Sequence, residues 1–174
     1  SEKLPFLRAK GATIIANIYG HSADEYVELA RRLDAEGAAD AIEANLSCPN
    51  VHDARKAKGA VLVSQDPRCV DEYTRAIREV TKLPVIVKLT PNVMDITEPA
   101  LAAEAAGADA LCLINTLLGL AIDADTRRPR LSNIVGGLSG PAIRPVAAKM
   151  VWDAHRVVKI PIIGMGGVQN AADA

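Results

Sequence analysis

Five short aliphatic runs alternate with stretches of helical spacing along this chain, and that alternation leaves few folds open. The runs are Ala12–Ile18, Ala41–Leu46, Pro84–Leu89, Ala110–Ile114 and Ile160–Gly164. Strands joined through helices lie parallel, because a tight turn only returns a chain antiparallel. The runs read as continuous apolar stretches, which predicts strands buried on both faces. Between them, Ser22-Ala-Asp-Glu25 has capping-box spacing, Tyr26, Leu29, Ala30 and Leu33 recur at helical intervals, and Gly37 supplies a stop. Asp66-Pro67 predicts a second helix start, with Val70, Tyr73, Ile77 and Val80 as its buried stripe. A third helix is expected over 97–106, closed by Gly107, and a fourth from Pro141 to about Val157. Residues 115–140, rich in Gly, Asp, Arg and Pro, are too many for a mere connector, and Gln169 onward reads as the opening of a further helix. The spelling also repeats: Ala35-Glu-Gly-Ala-Ala-Asp-Ala41 echoes Ala105-Ala-Gly-Ala-Asp-Ala110, each joining a helix to a strand.

The class is therefore α/β with a parallel sheet, and two architectures compete: the eight-fold TIM (β/α)8 barrel and the open doubly wound sheet. Chemically capable residues stand at the C-terminal ends of all five runs: Asn17, Asn45 with Cys48, Lys88, Asn115 with Thr116, and Gly166 with Gly167. A barrel gathers such residues from every strand, whereas an open sheet collects them at one switch point, so the barrel is favoured. Residues 1–174 then form one partial barrel domain of about five βα units, lacking the first two strands and the last one or so. The fragment is expected to be inactive by itself, any activity belonging to the parent chain.

Net charge is −1, which shows no bias toward nucleic acid or an anionic membrane, and aromatics at 3% argue against base-stacking platforms. No apolar run reaches the ~18 residues of a membrane span and no signal-peptide layout opens the chain, so a cytoplasmic location is expected. Three cysteines without Cys-x-x-Cys spacing support neither a disulfide framework nor a zinc or iron-sulfur site. His21, His52 and His155 lack ligand spacing and read as surface residues, as does the Arg127-Arg128 pair.

Several residues carry two readings side by side. In Asn45-Leu-Ser-Cys-Pro-Asn50, the Cys48 thiol is flanked by two carboxamides and a hydroxyl on backbone stiffened by Pro49. Amides offer paired donors and acceptors to a flat ring, and a thiol of ordinary pKa ~8.5 becomes a base where the thiolate is favoured. The plainer reading is a cysteine packed as a small hydrophobe. Lys88 ends an apolar strand that itself offers no partner for its charge. It either meets a bound anion or snorkels from the rim. Gly164-Met-Gly-Gly167 and Gly136-Gly-Leu-Ser-Gly140 each precede a helix, either to bring backbone N–H groups to one phosphate or merely to turn tightly. Asn17, Asn115 and Thr116 either face a ligand or cap turns.

Five phrases resemble, in order, the class 1 dihydroorotate dehydrogenases: Asn45-Leu-Ser-Cys-Pro-Asn50, Lys88-Leu-Thr-Pro-Asn92, Ile114-Asn-Thr-Leu-Leu-Gly119, Gly136-Gly-Leu-Ser-Gly-Pro141 and Gly164-Met-Gly-Gly167. The likeness runs through nearly the whole chain and favours the NAD-linked branch, because Cys48 stands where membrane-linked relatives carry serine. It implies an FMN-bearing catalytic subunit with a barrel fold, a homo-oligomer, and a partner subunit holding FAD and an iron-sulfur cluster. By the same resemblance Cys48 takes a proton from C5 of dihydroorotate while hydride leaves C6 for FMN, giving orotate for pyrimidine biosynthesis. Asn45, Asn50, Asn115 and Thr116 would hold the substrate. Asn17, Asn45, Lys88 and Ile114 would line the flavin, with Gly140, Gly166 and Gly167 at its phosphate and no metal in this chain. The loop after Asn50 departs from the pattern, lacking the Gly-Gly and Phe-Gly common in this branch.

Two other readings compete. Dihydropyrimidine dehydrogenase, which reduces uracil and thymine, shares barrel and flavin, but its base cysteine precedes Gly-Gln-Asp-Pro, where this chain reads Val63-Ser-Gln-Asp-Pro67. A flavin-free barrel relative kept for binding is the third.

Overall fold

The computed structural model describes residues 3–37, 39–47 and 63–174. Its elements run α1 (Lys3–Ala9), β1 (Ile15–Ile18), α2 (Ala23–Ala35), β2 (Ala41–Asn45), α3 (Pro67–Arg78), β3 (Val85–Lys88), α4 (Thr97–Ala105), β4 (Ala110–Leu113), β5 (Leu117–Leu120), β6 (Ile122–Asp123), β7 (Arg128–Pro129), β8 (Val135–Leu138), α5 (Arg144–His155) and β9 (Ile162–Gly164). Strands β1, β2, β3, β4 and β9 form one sheet in that order, every neighbouring pair parallel. Sheet order thus follows chain order, without the reversal that creates a switch point in a doubly wound sheet.

The two faces of this sheet differ in kind. On one, Ile42 and Ala44 of β2, Val85 and Val87 of β3, and Leu111 and Leu113 of β4 pack against α2, α3, α4 and α5 in a single core. Burying each large aliphatic contributes roughly 1.5–3 kcal/mol relative to leaving it in water. Tyr26 of α2 and Tyr73 of α3 meet edge to face within this layer, ring centres 5.5 Å apart. The opposite face begins with small and aliphatic residues, where Ala41, Ile86, Ala110 and Cys112 form a separate cluster with Met165 and no helix joins it. Toward the strands' C-terminal ends the same face turns polar, at Asn17, Glu43, Asn45 and Lys88. Burial on both faces therefore holds for β2, β3 and β4, but among the described residues only one face has a helical cover. On the outer strands Ile15 and Ile163 remain 49% and 39% exposed.

Local chemistry explains most boundaries. Ser22 caps α2, its hydroxyl accepting from Glu25 N–H, while the Glu25 carboxylate accepts from His21 N–H at 2.8 Å, one residue before the position a capping box prescribes. Asp66 caps α3 by accepting from Arg68 N–H at 3.0 Å, with Pro67 in the first turn. Gly37 and Gly107 leave their helices at φ +56° and +94°, the left-handed region open to glycine.

The structure departs from expectation at four places. Strands β1 and β9 start later than their aliphatic runs, at Ile15 and Ile162. The long 115–140 segment is not irregular: β5 pairs with β8 and β6 with β7 as antiparallel ribbons. Glycines interrupt β5 and β8, and β6 and β7 are two residues each, so none gives a readable periodicity. Past Val168 the chain makes a turn over residues 171–173, not a helix. The N-terminal α1, which buries no residue, was not anticipated.

The repeated spelling before β2 and β4 builds the same clasp twice. Asp40 accepts from Ile14 N–H at 2.7 Å and from Arg8 at 2.9 Å, and Asp109 accepts from Val85 N–H at 2.7 Å and from Arg78 at 2.8 Å. In each, an aspartate just ahead of one strand satisfies a donor where the preceding strand begins. The Ile14 N–H first, and Arg8 second, hold the Asp40 carboxyl below its ordinary value. Asp109→Ala strands the Val85 donor and frees the Arg78 charge, and is expected to cost about 1–3 kcal/mol in urea unfolding. Asp109→Asn, which keeps an acceptor, should cost less. Equal stability of all three proteins would refute the clasp.

Candidate active site

The polar end of the uncovered face is built by register. Asn17 pairs with Glu43, and Asn45 with Lys88, so side chains from β1, β2 and β3 share one face at one end of the sheet. Asn17 Nδ2 donates to Glu43 Oε1. Lys88 Nζ lies 3.6 Å from that same oxygen, with the two side chains 17% and 14% exposed. This separation is too long for a hydrogen bond. No hydrogen bond of the ammonium is present among the described residues, so a largely buried lysine keeps its donors unspent. Lys88 does have a charged neighbour, which the strand that carries it could not show.

A second cluster adjoins this one. Asn45 Oδ1 accepts from the Ser47 hydroxyl at 2.8 Å and from Asn115 Nδ2 at 3.5 Å, while Asn115 Nδ2 also reaches Ser47 Oγ at 2.8 Å. Asn115 Oδ1 accepts from Thr116 N–H at 2.8 Å, which fixes the direction of the amide. Tyr26 OH donates to Asn45 O at 2.7 Å, anchoring the end of β2 to the helical layer. Asn45, Asn115 and Thr116, expected together, are together. Cys48 and Asn50 lie outside the described residues.

Ile114, Gly140, Gly166 and Gly167 form a third group. A Cβ on Gly167 would stand 2.7 Å from Gly140 O, and one on Gly166 would stand 2.8 Å from Ala147 Cβ and 3.4 Å from Ile114 Cγ1. The two glycine turns therefore meet, as one phosphate between them would require. Their packing against each other is itself a sufficient reason for glycine. Gly166 and Gly167 border an open cavity of about 570 Å³ with Arg144, Ala147 and Val151, where Arg144 is paired with Asp173. The Ile114 side chain is 3% exposed and packs into the helix-side core.

Beneath the polar rim, the buried Cys112 thiol sits 3.6 Å from Met165 Sδ. Burial first, and the Glu43 carboxylate second, push this thiol up to about 12, with Lys88 working the other way.

The family model described as dihydroorotate dehydrogenase matches residues 2–174. The chain belongs to the dihydroorotate dehydrogenase family. It is 53% identical over 173 residues to the dihydroorotate dehydrogenase B (NAD(+)) catalytic subunit of Trichlorobacter lovleyi, covering 99% of this chain and 55% of that protein. Proteins of the same name from Geobacter sulfurreducens and Caldicellulosiruptor bescii are each 51% identical, covering 99% and 100% of this chain and 55% and 56% of theirs. All three relatives are catalytic subunits whose names carry NAD(+). The chain spans little more than half the length of these curated relatives.

Within this family member, sequence reasoning missed two residues of the rim. Glu43 hid inside an aliphatic run, although it lies two residues before Asn45 and hence on the same face. Asn92, quoted only as part of a phrase, is a tie: it donates to Thr90 Oγ1 at 2.8 Å and to Thr116 O at 3.1 Å, and accepts from Leu118 N–H at 2.9 Å. His21 and His155 are exposed, as are Arg127 and Arg128, whereas His52 lies outside the described residues. Among the described residues, no helix is long and apolar enough to cross a membrane.

The raised thiol has a signed consequence. Cys112 stays protonated through pH 7–9 in the folded protein, so iodoacetamide at pH 8 should label it only after unfolding, as peptide mass mapping would show. Because the folded thiol holds its proton above the ordinary value of 9.0, its contribution to stability is constant below pH 9 and declines as pH rises toward 12. Rapid labelling of the native protein would contradict this.

Proposed function

We propose that this chain is part of an FMN-dependent dihydroorotate dehydrogenase acting in pyrimidine biosynthesis, and that residues 1–174 supply five of eight βα units in a TIM barrel whose remainder comes from a longer parent chain. Support for the barrel comes from the sequential strand order, the packing of α2 to α5 on a single face, and reactive residues at successive strand ends. The single observation that carries the functional reading is the Lys88 ammonium, largely buried yet without a hydrogen bond among the described residues. Beside it, Asn45 Nδ2 and Asn17 Oδ1 also lack partners among the described residues, while the opposite ends of both amides are fixed. This set of two donors and an acceptor fits the edge of a flavin ring, which presents several acceptors and one N–H.

In this reading Asn45, Asn50, Asn115 and Thr116 orient dihydroorotate, and the Cys48 thiolate takes the C5 proton as the C5–C6 double bond forms. FMN supplies, when bound, the acceptor for the hydride from C6, and so for both electrons. Lys88, with Asn17 and Asn45, would meet the polar edge of the ring, and Lys88 would offset negative charge arriving there. Gly140, Gly166, Gly167 and the backbone of Ile114 would lie along its remaining length. NAD+ would receive the electrons through an FAD and iron-sulfur subunit, in keeping with the words "catalytic subunit" in the names of the relatives. A homo-oligomer and a cytoplasmic setting belong to the same reading. No observation favours uracil reduction or a flavin-free relative.

Anaerobic mixing of the purified full-length protein with dihydroorotate should bleach the flavin absorbance, and mixing with dihydrouracil should not. Cys48→Ala is expected to keep FMN bound while slowing the bleaching about 10²–10⁴-fold, the usual range for loss of a general base. Near-normal bleaching would remove Cys48 from the mechanism, and a protein that stays colourless with added FMN would overturn the functional reading itself.

A further inference from the structure

We propose that Glu43 is a positioning residue for the flavin: it holds the Lys88 ammonium and the Asn17 carboxamide at the rim, and its charge sets how readily the bound flavin takes up electrons. The proposal rests on the FMN reading above. Among the described strand residues of the uncovered face, Glu43 is the one carboxylate. It stands on the middle of three strands and reaches both neighbours, accepting from Asn17 Nδ2 on β1 and facing Lys88 Nζ on β3 from a single oxygen. One side chain therefore fixes two others that come from different strands.

The geometry differs from a pair that merely neutralises itself. A structural ion pair closes to hydrogen-bond distance and uses up its donors. Here Nζ stays 3.6 Å away, so the carboxylate restrains the ammonium electrostatically and leaves its N–H groups for a ligand. At 14% exposure the Glu43 charge is also poorly screened, and so is felt across the rim. The third neighbour, the Cys112 thiol, is neutral in the working pH range and contributes no charge of its own. The fixed charge near the ring is thus the near-cancelling sum of Lys88 and Glu43.

An electron pair entering the flavin makes the ring more negative, so a fixed negative charge beside it opposes the uptake. Glu43→Gln keeps the shape and an acceptor for Asn17 but removes that charge. In the FMN-loaded full-length protein, this variant is expected to retain flavin and to raise its two-electron midpoint potential. The expected size is about tenfold in the equilibrium with a reference dye, or ~30 mV for a two-electron couple. A folded, flavin-bearing Glu43→Gln protein with the wild-type midpoint overturns the proposal, because a purely structural carboxylate would leave the potential unmoved. Loss of flavin from a folded Glu43→Gln protein overturns the charge-setting part. Should this variant not fold, Glu43→Ala decides: it removes the same charge, so the midpoint must rise, and an unchanged midpoint overturns the proposal. Wild-type protein without flavin would instead sink the FMN reading, a result distinguishable from any of these.

Discussion

A charge on a sheet face is met first by what the neighbouring strands bring into register with it. Lys88 sits on such a face, and Glu43, one strand away, is its charged neighbour. The rest of the rim follows from this pairing. Parallel strands in register put Asn17, Glu43, Asn45 and Lys88 on one side, while α2 to α5 pack on the other. The floor under the rim is built from alanine, isoleucine and a protonated thiol.

Much of this was legible in the sequence, for identifiable reasons. The α/β alternation and the capping residues Ser22 and Asp66 are local chemistry, and local chemistry survives in a one-dimensional reading. So do strand-end residues such as Asn45 and Asn115, whose places follow from where aliphatic runs stop. Cross-strand relations did not survive. The Asp40 and Asp109 clasps were visible as a repeated phrase, but their function depends on backbone donors 26 and 24 residues away. Glu43 was passed over because a run of apolar residues hides the polar member that a two-residue period would have singled out. The β5–β8 and β6–β7 ribbons were missed because pairing between strands that short is decided by tertiary contact, not by composition.

The rim combines two kinds of polar side chain. The amides Asn45, Asn92 and Asn115 are tied to Ser47, Thr90, Thr116 and Leu118, which fixes the direction of each group. Among the described residues, Lys88 is tied to nothing by a hydrogen bond. Fixed amides recognise a shape, and an underused ammonium recognises charge. Their adjacency at the ends of β2, β3 and β4 is what gives this family member a surface able to do both.

The contact between Gly166 and Ala147 has a consequence for descent. A methyl group added at 166 would collide with the one already on α5, and a larger side chain at 147 would press on the turn after β9. These two positions, well apart in the chain, cannot drift independently. Gly166 also holds a φ of +129° that favours glycine whatever stands at 147, so natural variants should keep it and vary 147 only toward a smaller residue; a helix that looks like mere scaffolding thereby inherits an evolutionary restraint from the turn beside it.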